Sequence, residues 1–135
     1  MQTLNLFGIT ISEQLTNNFL SITDLQEAFD RRRIEKNWNI KRISGVIETS
    51  SFIEKCYHLL KDEKNFPDYI KYKELVKSKG INSTLKELGY WELTGKGTER
   101  KTWCHELIWI TIAFEMHPEI LGIVLNWFII KNSKL

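Results

Sequence analysis

A chain of 135 residues with 42% hydrophobic and 27% charged side chains holds one domain's worth of material, enough to bury a core without disulfide or metal staples. Nineteen Lys and Arg against seventeen Asp and Glu leave a formal net charge of +2, which excludes a global field for nucleic acid; any such binding has to come from local clusters. The same composition argues against disorder.

The first predicted element is a strand over residues 4–11, where Leu4, Leu6, Ile9 and Ile11 alternate with polar or small residues and Gly8 marks a bulge or turn. Asn17-Asn18 is a turn signal, and Phe19-Leu20-Ser21-Ile22 is the returning strand, giving a small N-terminal strand pair. Ser21 or Thr23 then caps a helix with Leu25, Ala28 and Phe29 on one face. Arg31-Arg32-Arg33, followed by Lys36, is the densest basic run. After it, residues 38–48 are expected to form a helix with Ile40, Ile43, Val46 and Ile47 inward and Lys41 and Arg42 outward. Two helices flanking a basic turn have the order of a helix-turn-helix unit.

Thr49-Ser50-Ser51 signals the cap of a further helix, residues 52 to about 61, with Phe52, Ile53, Cys56, Leu59 and Leu60 apolar. Pro67 is placed to start another, running through Tyr69, Tyr72, Leu75 and Val76 to a stop at Gly80. Its Lys71, Lys73, Lys77 and Lys79 describe a solvated face. Ser83 or Asn82 caps one more turn, residues 84–88. Residues 90–103 carry a hairpin signal, two runs of β-formers around Gly95-Lys96-Gly97.

Two short apolar helices close the chain, about residues 104–116 and 118–130. The break between them falls at His117-Pro118, because proline fixes its own φ and pushes its predecessor out of the α region. Both helices are apolar around most of their circumference, so each needs the rest of the chain, or a partner, to cover it. The second is too short to span a bilayer and Asn126 interrupts it. The opening Met-Gln-Thr-Leu-Asn-Leu-Phe lacks the basic region and apolar core of a secretory leader, and isolated Cys56 and Cys104 suit free thiols in a reducing compartment. A cytoplasmic protein is expected.

Little in the chain speaks for chemistry. His105, Cys104 and Cys56 lack paired metal-ligand spacings, and no serine or cysteine is marked with a base. Gly95-Lys96-Gly97 alone is a turn, not a phosphate cradle. The expectation is no enzyme, with no catalytic, cofactor or metal site. His105 and His117, each at a corner before a helix, are expected to hydrogen-bond free backbone groups or to pack there.

Trp103, His105, Pro118, Glu119 and Trp127 fall in the order that closes the KilA-N domain, a phage and DNA-virus module similar to the DNA-binding APSES domain of fungal regulators. Thr23-Asp24-Leu25, after the strand Phe19-Leu20-Ser21-Ile22, resembles its opening. Glu106 stands where the family usually has proline, and Ser21 and Ile22 replace its Asn and Ala. The resemblance spans most of the chain as one domain, residues 1–135, with about 62–89 as an insertion relative to a short KilA-N domain. It implies a phage-type, regulatory DNA-binding domain in the host-cell cytoplasm.

The fold expected is therefore α+β: a strand pair, a helix-turn-helix-like helical body, a β-hairpin wing and a C-terminal helix pair. Duplex DNA is the expected partner. Arg31, Arg32, Arg33, Lys36, Lys41 and Arg42 on the helical unit, with Lys96, Arg100 and Lys101 on the wing, would neutralise phosphates if they converge. The alternative is a protein-interaction or self-association module that keeps the fold without DNA affinity, with a homodimer or protein partner held by the C-terminal helices.

Overall fold

Two small antiparallel sheets and a set of α-helices make up the α+β fold, in a computed structural model that describes residues 3–38 and 42–133. Strands β1 (Leu4–Leu6) and β2 (Ile9–Ile11) pair with each other, Leu4 opposite Ile11 and Leu6 opposite Ile9. The expected single strand over 4–11 thus folds back on itself. Its two turn residues, Phe7 and Gly8, both take positive φ (52° and 88°), the demand of a type I′ turn. Asn5 Oδ1 accepts the Gly8 N–H at 3.1 Å and fixes the reversal.

The segment expected to return to that strand goes elsewhere. Strand β3 (Leu20–Ser21) joins the later hairpin, β4 (Trp91–Thr94) and β5 (Lys101–Cys104), in a three-stranded antiparallel sheet of order β3-β5-β4. An isolated bridge, Glu13 to Leu20, also links it back toward β2, with the Ser21 N–H on the Ser12 carbonyl at 3.0 Å and the Gln14 N–H on the Phe19 carbonyl at 2.9 Å. Between β4 and β5 the chain turns through Gly95 and a 3-10 turn, Gly97–Glu99. Gly95 has φ +76°, and an added Cβ would stand 2.4 Å from the Glu99 carbonyl oxygen, so the turn closes only around glycine.

Helix α1 (Ile22–Lys36) starts where Ser21 Oγ accepts the Asp24 N–H at 3.0 Å and ends at Asn37 in the left-handed region. Helix α2 (Ile43–Ile47) is shorter than the expected 38–48: Trp38 is not helical, residues 39–41 lie outside the described residues, and Arg42 is extended. It is pinned to α1 by the Ile43 N–H donating to Gln26 Oε1 at 3.2 Å. Thr49 separates it from α3 (Ser50–Leu60): its hydroxyl donates to the Val46 carbonyl and accepts the Phe52 N–H, closing one helix and opening the next.

Helices α4 (Tyr69–Lys79) and α5 (Ile81–Glu87) share Gly80 as end and start. Asp68, not Pro67, caps α4, accepting the Lys71 N–H at 2.8 Å. This segment belongs to the common core: Tyr72 is fully buried with its hydroxyl donating to the Ile53 carbonyl, and Ile81 and Leu85 are buried beside it.

The closing pair is α6 (Glu106–Met116) and α7 (Glu119–Lys131). Helix α6 is central. Trp109, Ile108, Ile112 and Ala113 are without exposure, and the Trp109 indole N–H reaches the Ser21 carbonyl at 3.0 Å. Trp127 packs on Trp109 edge to face, and Trp103 is buried on β5 with its N–H on Thr94 Oγ1. Both predicted histidine roles are observed. His105 Nδ1 accepts the Leu107 N–H and His117 Nδ1 the Glu119 N–H, each serving a helix start that has no intrahelical partner. Among the described residues no helix is long and apolar enough to cross a membrane.

Candidate nucleic-acid interface

The nine cations expected at a phosphate surface fall into three groups, with Lys41 outside the described residues. The first group is the hairpin with the side of α1 that faces it. Lys101, at the base of β5, holds Asp24 with its Nζ 3.3 Å from Oδ1 and also reaches Ser12 Oγ at 3.2 Å. The Thr102 N–H donates to Thr23 Oγ1 at 2.9 Å. These bonds fasten the hairpin to the start of α1. Burial pushes the Asp24 carboxyl up, but the Ser12 N–H and hydroxyl together with Lys101 outweigh it and hold the group below its ordinary range. Lys101 therefore has a fixed anionic partner of its own, which leaves it less charge to offer a phosphate.

Beyond that anchor the tip residues Lys96 and Arg100 are exposed and form no ion pair among the described residues. Arg31 follows Asp24 by seven residues, two helical turns, so it shares that face of α1 about 10 Å further along. It is exposed, and its guanidinium rests against the β1–β2 turn, where a Cβ on Gly8 would meet Nη1 at 3.1 Å. Arg31, Lys96 and Arg100 are thus exposed cations without an ion pair among the described residues.

Arg32 forms the second group by itself. Nη2 lies 2.6 Å from Glu119 Oε1 at the start of α7, and Nη1 lies 3.6 Å from Glu35. The guanidinium carbon sits 4.9 Å from the Phe7 ring centroid and 5.9 Å from that of Trp38, which stacks at 3.5 Å on His117. Arg32 thus bolts the end of α1 to the β1–β2 turn and to the α6–α7 corner. Its charge is committed inward and not to a ligand.

The third group lies around the other side of α1. Arg33 pairs loosely with Asp30 at 3.8 Å, Lys36 stands exposed in the last turn, and Arg42 is exposed where α2 meets Gln26. This side also carries a shallow open cleft of about 480 Å³ lined by Ile22, Thr23, Gln26, Glu27, Asp30 and Ile43. Its two carboxylates oppose a phosphate, so Arg33 and Arg42 sit in mixed charge.

Among the described residues no three His, Cys, Asp or Glu side chains form a metal-holding group. The thiols are inert by burial: Cys56 is pushed up to about 12, and burial holds Cys104 well above the ordinary thiol range. A further surface lies on α7. The sequence marks this helix as needing cover, yet Leu121, Ile123, Leu125, Ile129 and Ile130 remain exposed. Comparisons with models of protein families, with curated proteins and with solved structures find no match to the chain.

Proposed function

We propose that the chain is a KilA-N-like, phage-type regulatory module that binds duplex DNA through phosphate contacts of Lys96, Arg100 and Arg31, with Lys36, Arg33 and Arg42 at the flank. The observation that carries the reading is the fastening of the hairpin to α1. The Lys101–Asp24 pair and the Thr102–Thr23 bond hold the base of the hairpin against the start of α1, and this fastening supports a phosphate surface shared by the exposed tip cations and Arg31. A basic hairpin beside a helix is the geometry of a wing, and phosphate contacts supply most non-specific affinity. The shortness of α2 argues for backbone contact over base reading by that helix.

Salt titration of binding to mixed-sequence duplex tests it. Lys96→Gln, Arg100→Gln and Arg31→Gln combined should weaken binding at low salt and reduce the log–log salt slope by about 0.9 for each phosphate no longer neutralised. Their exposure means stability should move by no more than about 0.5 kcal/mol each. A folded triple variant that binds as the parent does removes this surface from the mechanism. A parent that binds no duplex at low salt removes the DNA reading. The second reading, a protein-interaction module without DNA affinity, is favoured by one observation, the uncovered apolar face of α7.

A further inference from the structure

We infer that α7 is a self-association helix whose uncovered face docks on the same face of a second copy of this chain, about a two-fold axis close to Asn126. The inference deepens the second reading by naming its occupant, and it stands or falls independently of DNA binding.

Helix α7 is apolar all round, yet the body of the molecule buries only Ile120, Val124 and Trp127, one stripe at i, i+4, i+7. On the remaining circumference Leu121, Leu125 and Ile129 form one exposed row and Ile123 and Ile130 another, each residue 41–58% exposed. Between the rows lie Gly122 and Asn126, one turn apart and also exposed; an added Cβ on Gly122 meets nothing within 4 Å. At roughly 150–200 Å² for a fully exposed Leu or Ile, the five apolar residues leave about 350–450 Å² in water, within the range where a monomer's largest patch is a binding surface. With half-buried Phe128 and the Gly122–Asn126 strip, the footprint approaches the ~600 Å² per partner at the lower end of specific interfaces. A dimer of that size is reversible.

Three features select a second copy as the occupant. No residue between Ile120 and Ile130 is charged, so identical faces do not repel. Glu119 and Lys131 at its ends are already paired within the chain, with Arg32 and with Glu13 and Glu106, so antiparallel copies bring no unpaired like charges together and oppose their helix dipoles. Asn126 is the lone polar side chain in the middle of the face, and its amide carries both donors and acceptor. On a two-fold axis it pairs with its own image, whereas a purely apolar cover would leave it unsatisfied. Pairing centred there also sets Gly122 against Ile130 of the second copy, small against large.

Sedimentation of the full chain under reducing conditions from about 5 to 200 µM should show a monomer–dimer equilibrium with a micromolar Kd, as a patch of this size implies. Leu125→Glu with Ile129→Glu should raise that Kd at least about tenfold by burying charge, with an unchanged circular dichroism spectrum at low concentration. Asn126→Cys should cross-link to its own image on mild oxidation, faster than a Lys77→Cys control on α4. A parent that stays monomeric throughout overturns the inference, and if that monomer binds duplex the DNA reading survives alone. A Leu125→Glu, Ile129→Glu variant that dimerises as the parent does, or Asn126→Cys cross-linking no faster than the control, also overturns it. Parent chain that stays monomeric but floats with phosphatidylcholine vesicles would give the face to lipid instead.

Discussion

Both corner histidines accept a backbone N–H at a helix start through Nδ1. Their positions make this legible: each stands directly before a run of helix formers whose first N–H groups have no partner. Arg32 shows the opposite case. In the run Arg31-Arg32-Arg33 nothing local separates the three, yet Arg32 turns inward because Glu119, 87 residues away, lies there, while Arg31 stays exposed. Lys101 is captured by Asp24 across 77 residues in the same way. Ion pairs of that sequence separation follow from packing and not from pattern. Arg32→Gln should therefore act on the fold: it leaves Glu119 without its cation and the Phe7 and Trp38 rings without their cover. The expected result is a lower thermal midpoint by circular dichroism, with duplex affinity measured well below that midpoint unchanged. An unchanged midpoint with weakened DNA binding would return Arg32 to the phosphate surface.

At the scale of elements, caps and breaks are the readable features. Ser21, Thr49 and His117-Pro118 lie within a residue of the observed boundaries, because each supplies a side-chain acceptor or removes a donor where the helix requires it. Residue pattern puts the N-terminal strands in the wrong pairing. A type I′ turn on Phe7-Gly8 needs positive φ at a phenylalanine, which residue preference disfavours; tertiary cover by Arg32 and Trp38 holds it. The later hairpin is legible because both its turn glycines are needed locally, though unequally. Gly95→Ala combines φ +76° with a Cβ 2.4 Å from backbone and should cost roughly 1–3 kcal/mol or more. Gly97→Ala, at φ +59° with open space around the new methyl, should cost about 1 kcal/mol. Urea denaturation of the two variants checks the ranking, and equal losses would mean the Gly95 turn relaxes around a side chain.

The whole molecule's response to pH follows from groups whose environments change on folding. Burial pushes His105 below its ordinary value, with Glu63 and Glu106 opposing only in part. The unfolded chain then takes up that proton at about pH 6.5 and the folded one only lower, so stability falls as pH drops through that window. Asp24 is held below its ordinary range, so its contribution is present above about pH 3.9 and is lost at still lower pH. Lys131, packed between Glu13 and Glu106, is pushed down by burial and raised more by those two carboxylates. Its contribution is present below about pH 10.4 and is lost as pH rises beyond the folded value. The thiols act earlier on that side. Cys56, raised to about 12, and Cys104, also raised by burial, stay protonated in the fold while the unfolded chain releases those protons near pH 8.5. The unfolded state then binds fewer protons, so stability declines as pH rises, by about 2 kcal/mol at pH 10 for Cys56 alone. Maximum stability should lie between about pH 6.5 and 8.5. Urea midpoints under reducing conditions from pH 5 to 10.5 should trace a dome with its alkaline shoulder set by the cysteines. Cys56→Ala with Cys104→Ala should lower the dome, since two buried side chains shrink, while flattening its decline between pH 8.5 and 10. A shoulder as steep in the double variant as in the parent would assign the alkaline loss to Lys131 and the buried Tyr72, and would mean the thiols ionise in the folded chain as readily as in the unfolded one.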